Sequence, residues 1–149
     1  MVTAKSILAK KGSEIYSISP DKTVYDALKI LADKEVGAVL VLDADKLLGI
    51  FSERDYARKL ILKGFLSKES CVRDVMTRDL VVVEPGTDIF YCMKLMTEKK
   101  VRHLPVIDNN KLIGIISIGD VVNAVINSQE AAIKNLEGYI SGGGYGYSG

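Results

Sequence analysis

The chain has 149 residues, 48% of them hydrophobic and 26% charged, with 20 Lys and Arg against 19 Asp and Glu for a formal net charge of +1. That apolar content suffices for a buried core and excludes a disordered chain, while the even charge balance gives no bulk indication of a nucleic-acid footprint or a polybasic membrane surface and leaves local patches open. No apolar run approaches the roughly 20 residues that span a bilayer, and the start MVTAKSILAKKG lacks the apolar centre of a signal peptide, so the expected location is the cytoplasm with no membrane partner.

In chain order the elements come in two matching sets. A short strand ends before Pro20, and Val24, Ala27, Leu28 and Leu31 then recur at helical period, predicting an amphipathic helix. Val36 to Leu42 is a nearly continuous apolar run, as expected of a strand covered on both faces. Asp43-Ala44-Asp45-Lys46 suits a hairpin turn. The next strand resumes at Leu47 and ends in the corner GIFSERD, Gly49 to Asp55, where another helix begins. After a polar connector from Gly64 to Arg73 the set returns sixty-five residues on. A strand stops at Pro85, Ile89, Cys92, Met93 and Met96 make the helical stripe, Val101 to Ile107 the apolar run and Asp108-Asn109-Asn110-Lys111 the turn. The strand from Leu112 then leads into GIISIGD, Gly114 to Asp120.

Aligned without a gap, Pro20 to Asp55 and Pro85 to Asp120 agree at twelve of thirty-six positions, which identifies an internal repeat of the form β-α-β-β-α. A unit of about 60 residues buries only about 60% of its unfolded surface, so the two copies are expected to pack sheet to sheet around a pseudo-twofold as one α+β domain. Repeat 1 is expected over residues 1–65 and repeat 2 over 66–140, the latter closing with a helix from Val121 to Ile140; residues 141–149 read as a flexible Gly/Tyr tail.

Little in the sequence points to catalysis. Cys71 and Cys92 are far apart, the single His103 has no neighbouring Cys or His, and no metal-ligand spacing exists. Cys92 falls on the apolar face of a helix, as a buried thiol does. Ser52 and Ser117 have no paired histidine, and no phosphate-binding P-loop is present, so no catalytic residue is assigned. The duplicated corner has two readings. Ser at the N-cap with Asp at the third helical position forms a capping box. The same helix terminus offers amides and a positive dipole end to a phosphate, and a carboxylate beside it can accept both hydroxyls of a ribose. The glycine upstream permits close backbone approach.

The stretch MTRDLVVVEPGTDIFYCMKLMTEKKVRHLPVIDNNKLIGIISIGD, with its earlier echo, resembles a tandem pair of cystathionine-β-synthase (CBS) domains, a Bateman module, over nearly the entire chain. VRHLPVID and GIFSERDYARKLILKG are similar to stand-alone CBS-pair proteins of bacteria and plant organelles. The resemblance implies a non-enzymatic sensor of AMP, ADP, ATP, NAD or S-adenosylmethionine, a homodimer formed through helices bearing the Val24–Leu31 and Ile89–Met96 stripes, and a regulated partner protein. It also implies two clefts. One joins Thr77, Val82, Val101, Arg102 and His103 to Ser52, Arg54 and Asp55, with Asp55 on the ribose and the cations on the phosphates. The other joins Ser17, Val36, Gly37 and Ala38 to Ser117, Gly119 and Asp120. There the positions matching Thr77, Arg102 and His103 are Gly12, Gly37 and Ala38, so weaker binding is expected unless Arg102 and His103 serve both clefts.

Overall fold

The computed structural model describes residues 1–142; the expected tail lies outside them from residue 143 onward. The sixteen residues before the first strand contain a helix that the apolar spacing does not announce, α1 (Ala4–Lys11). Its box is built from Thr3 and Ser6, without the acid that marks such a start in sequence. Strand β1 (Ser17–Ile18) runs parallel to β2 (Ala38–Asp43), which pairs antiparallel with β3 (Lys46–Ser52), giving a three-stranded sheet in the order β1-β2-β3. Helix α2 (Val24–Lys34) crosses from β1 to β2, started by a Thr23–Asp26 capping box and ended by Glu35 in the left-handed region at φ 53°. The corner helix α3 (Glu53–Asp55) runs directly into a π-helical turn (Tyr56–Leu60) and a 3-10 turn (Ile61–Lys63).

The second copy repeats the plan. The short helix α4 (Val72–Val75) opens it, α5 (Ile89–Lys99) matches α2, and the hairpin of β4 (His103–Asp108) and β5 (Lys111–Ser117) matches β2 and β3. Even the register agrees: Ala38 faces Ser52 as His103 faces Ser117, and each hairpin slips once near its turn. The strand expected before Pro85 shrinks to a single parallel bridge, Val83 with Val106. The last helix, α6 (Ile118–Gly142), begins at the corner itself, three residues earlier than the apolar stripe suggested.

Burial divides into two cores. The first gathers Ile18, Val24, Ala27, Leu31, Val39, Val41, Phe51 and Leu60 with Val72, Val75 and Met76; the second gathers Val83, Ile89, Cys92, Met96, Leu104, Val106, Ile116, Val121 and Val125 with Ala4, Ile7 and Leu8. Each repeat is therefore completed by a short helix that precedes the other copy in the chain. Full burial of a Leu or Phe stabilises by about 1.5–3 kcal/mol, so these crossed helices bind the copies together. The crossing also explains the paired glycines. A Cβ on Gly49 would lie 2.7 Å from the Thr77 carbonyl oxygen, and one on Gly114 would lie 2.7 Å from Leu8 Cδ2. The close approach that these glycines permit is made by the chain itself. The apolar stripes of α2 and α5 likewise face inward, leaving Tyr25, Phe90 and Tyr91 as the exposed aromatics of those helices.

Candidate ligand-binding clefts

Both duplicated corners form the capping box. Asp55 Oδ2 accepts from the Ser52 amide at 2.9 Å and from Ser52 Oγ at 3.0 Å, and the Asp55 amide donates to Ser52 Oγ at 3.2 Å. Asp120 Oδ2 accepts from the Ser117 amide at 2.8 Å, and the Asp120 amide donates to Ser117 Oγ at 3.2 Å. The first helical amides, Glu53 and Ile118, donate to the carbonyls of Gly37 and Arg102 at 3.1 and 2.8 Å. Helix starts leave their leading amides without intrahelical partners, and at each corner the amide that remains is the middle one, Arg54 or Gly119.

Each acid also holds a lysine, and here the copies diverge. Thr77 is zipped to β3 by two backbone bonds with Ile50, of 2.8 and 3.0 Å, and its hydroxyl donates to Asp55 Oδ1 at 2.9 Å. Lys59 Nζ reaches the same Oδ1 at 3.1 Å. At the second corner Gly12 replaces Thr77 and turns the chain away at φ 98°. Lys11 fills in: its ammonium donates to the Ile115 carbonyl at 3.0 Å and to Asp120 Oδ2 at 2.6 Å, so one side chain supplies both donors that Thr77 gives in the first copy. Among the described residues no hydrogen bond reaches Asp120 Oδ1.

A cavity of about 620 Å³ opens at the first corner. Ser52, Arg54, Asp55, Thr77, Val101, Arg102 and His103 line it, so seven of the eight residues expected for this cleft come together from both repeats. Val82 does not. Val83 is buried in the second core while Val82 is 42% exposed and borders a separate hollow of about 600 Å³ with Tyr91 and Asn109. Leu80 and Val81 line the cleft in its place, and Arg58, Lys59, Lys99 and Lys100 add cations that the sequence reading had not included. Lys59 was within reach of that reading, since it stands four residues after Asp55 on a helix.

The second set of residues is less united. Gly37 borders the first cleft, and a Cβ there would meet the His103 ring at 3.6 Å, so the two strand starts touch near the pseudo-twofold. Ser17 is exposed on β1, Val36 is half-buried and Ala38 is buried opposite Ser52; no hydrogen bond joins these three to Ser117, Gly119 or Asp120 among the described residues. His103 lines the first cleft, while the charged groups that act on it include the Lys11–Asp120 pair of the second corner. Burial pushes its pKa down, the Lys11 ammonium and Arg102 add to this, and Asp120 opposes it. For Asp120 burial acts to raise the pKa, but the hydrogen bonds from Lys11 and Ser117 outweigh it and hold the carboxyl below its ordinary value. Burial pushes the Cys92 thiol up to about 11, which leaves it a packing residue. Among the described residues no three His, Cys, Asp or Glu side chains group as metal ligands, and no helix is long and apolar enough to cross a membrane.

With this geometry in view, relatives can be placed. The family model for the CBS domain matches residues 4–62 and again 72–127. The mitochondrial CBS domain-containing protein CBSX3 of Arabidopsis thaliana is 44% identical over 83% of this chain, which spans 62% of that protein's length. YhcV, a CBS domain-containing protein of Bacillus subtilis, is 30% identical, with 83% of this chain and 89% of that protein covered. A solved CBS-domain protein from Burkholderia ambifaria superposes with a TM-score of 0.83 at 48% identity, covering 86% of this chain and 96% of that one. The chain belongs to the CBS-domain family and carries two copies of the domain.

Proposed function

We propose that the cleft at Asp55 binds an adenosine nucleotide, AMP, ADP, ATP or NAD, and that its occupancy regulates a partner protein. The observation that carries this reading is the charge of the cleft. Six cations line it, Arg54, Arg58, Lys59, Lys99, Lys100 and Arg102, against three acids, Glu53, Asp55 and Asp79, a surplus of three in a chain whose whole formal charge is +1. Cations held at such density call for an anion, and the low-dielectric walls strengthen the attraction. Ile50, Leu80, Val81, Val101 and Ile118 supply apolar surface for a base, and the volume falls within the range of about 300–1,000 Å³ typical of small-molecule sites. S-adenosylmethionine, whose sulfonium is itself cationic, matches that surplus less well.

One observation favours a second reading, a structural or dimerisation module that takes no ligand: both corner acids already serve their own helix starts. A thermal-shift screen of AMP, ADP, ATP, NAD and S-adenosylmethionine separates the two. A ligand at a hundredfold excess over its Kd stabilises by about 2.7 kcal/mol, or roughly 5–10 °C for a domain of this size. A phosphate-bearing nucleotide is expected to give such a shift; a flat response to all five favours the ligand-free module.

A further inference from the structure

We infer that Lys59 makes the Asp55 cleft selective for phosphorylated over unphosphorylated nucleosides, by holding the sugar-binding carboxylate until a phosphate draws the ammonium away. The inference rests on the nucleotide reading of the cleft given above. An ionised carboxylate offers about four lone-pair sites, and Asp55, 7% exposed, accepts three hydrogen bonds and is covered by an ammonium. Oδ2 accepts from the Ser52 amide and hydroxyl, at 2.9 and 3.0 Å. Oδ1 accepts from Thr77 Oγ at 2.9 Å and is ion-paired with the Lys59 ammonium at 3.1 Å, which itself donates to Thr77 Oγ at 3.1 Å. A ribose can therefore reach this acid only by displacing a donor already in place.

Three of the four are fixed. Ser52 is the helix cap, and Thr77 is fastened through its backbone to Ile50. Lys59 is the movable one, carried on a flexible stem with its side chain 38% exposed in the cavity, and leaving the acid also breaks its hydrogen bond to Thr77 Oγ. Pulling an ammonium from a nearly buried acid leaves both groups short of a partner, so an uncharged nucleoside loses there what its hydroxyls gain. A phosphate in the same cavity gives the displaced ammonium a new counter-ion beside Arg54 and Arg102. Sugar and phosphate recognition are thereby linked through one side chain. The second repeat lacks the device: Ala124 stands where Lys59 stands in the first, and the lysine at Asp120 comes from α1 and sits on Oδ2.

Calorimetry with AMP and with adenosine tests this on the wild type, Lys59→Met and Lys59→Arg. The wild type is expected to prefer AMP by about a hundredfold or more; Lys59→Met should bind adenosine roughly tenfold tighter than the wild type and AMP no tighter, a change of about 1.4 kcal/mol in the preference. Lys59→Arg should keep the wild-type preference. Lys59→Gln repeats the test if the methionine variant melts early. Adenosine binding that is unchanged or weaker in both uncharged variants makes Lys59 an ordinary phosphate contact and overturns the inference. So does an AMP preference indifferent to the substitution. If the wild type binds neither compound, the nucleotide reading has failed first and takes this inference with it.

Discussion

At the scale of single residues, His103 carries a measurable consequence of its position against Gly37 between the two corners. Its folded-state pKa lies below the ordinary 6.5, chiefly through burial, so the unfolded chain takes up the proton more readily. The stability it contributes is complete above about pH 6.5 and is lost as pH falls below that value. Urea melts between about pH 7.5 and 5.5 should show stability falling with acid, by at most about 1.4 kcal/mol per pH unit for one proton, and His103→Gln should flatten that slope. A slope unaltered by His103→Gln places the titration elsewhere. Asp120, with its pKa held below 3.8, contributes stability above the ordinary carboxyl value that is lost only as pH falls further through the folded-state pKa. The capping spacing Ser52–Asp55 was plain in the sequence because it is local. The Lys11–Asp120 pair spans 109 positions, and only the packing of α1 brings it about.

At the scale of elements, the repeat exposed two helix-strand-strand units with their turns, because apolar period and matching residues are both written into contiguous stretches. Helices α1 and α4 escaped because each is short and finds its apolar contacts in the other repeat: Ala4, Ile7 and Leu8 anchor the one, Val72 and Val75 the other. The glycines carry the trace of that crossing. Gly49→Ala must push back the Thr77 carbonyl, which is backbone, whereas Gly114→Ala meets the movable end of Leu8. Overpacking costs typically about 1–3 kcal/mol, and Gly49→Ala should lie at the upper end and Gly114→Ala below it in chemical melts. Equal effects would mean that Thr77 is not held as described. Ala44 sits at φ 53° in the first hairpin turn where the second copy has Asn109 at φ 51°. Asn tolerates that region better than Ala, so Ala44→Asn should raise stability by a few tenths to about 1 kcal/mol, and a lower melting point would count against it.

At the scale of the whole molecule, two cores tied by crossed helices are expected to unfold as one unit. Leu8, 7% exposed, belongs to α1 but fills the second core against Gly114. Leu8→Ala should cost about 2–5 kcal/mol, and because α1 leads directly into the first repeat the loss should appear in a single cooperative transition. Two separated transitions would show that the repeats fold independently. The tandem architecture could be read from the chain because the copies are contiguous; the cation surplus of the cleft could not, since Arg54, Lys59, Lys99 and Arg102 meet only when the repeats face each other.

The account stands most directly on whether Asp55 and its surrounding cations grip a nucleotide. Isothermal calorimetry of AMP or ATP against the wild type, Asp55→Ala and Asp120→Ala measures this, with melting curves to confirm that each variant folds. A hydrogen bond to a charged acceptor contributes about 1.5–3 kcal/mol, so Asp55→Ala is expected to weaken binding about ten- to a hundredfold. Affinity identical to the wild type in both alanine variants would contradict the account and leave the two acids as helix caps alone.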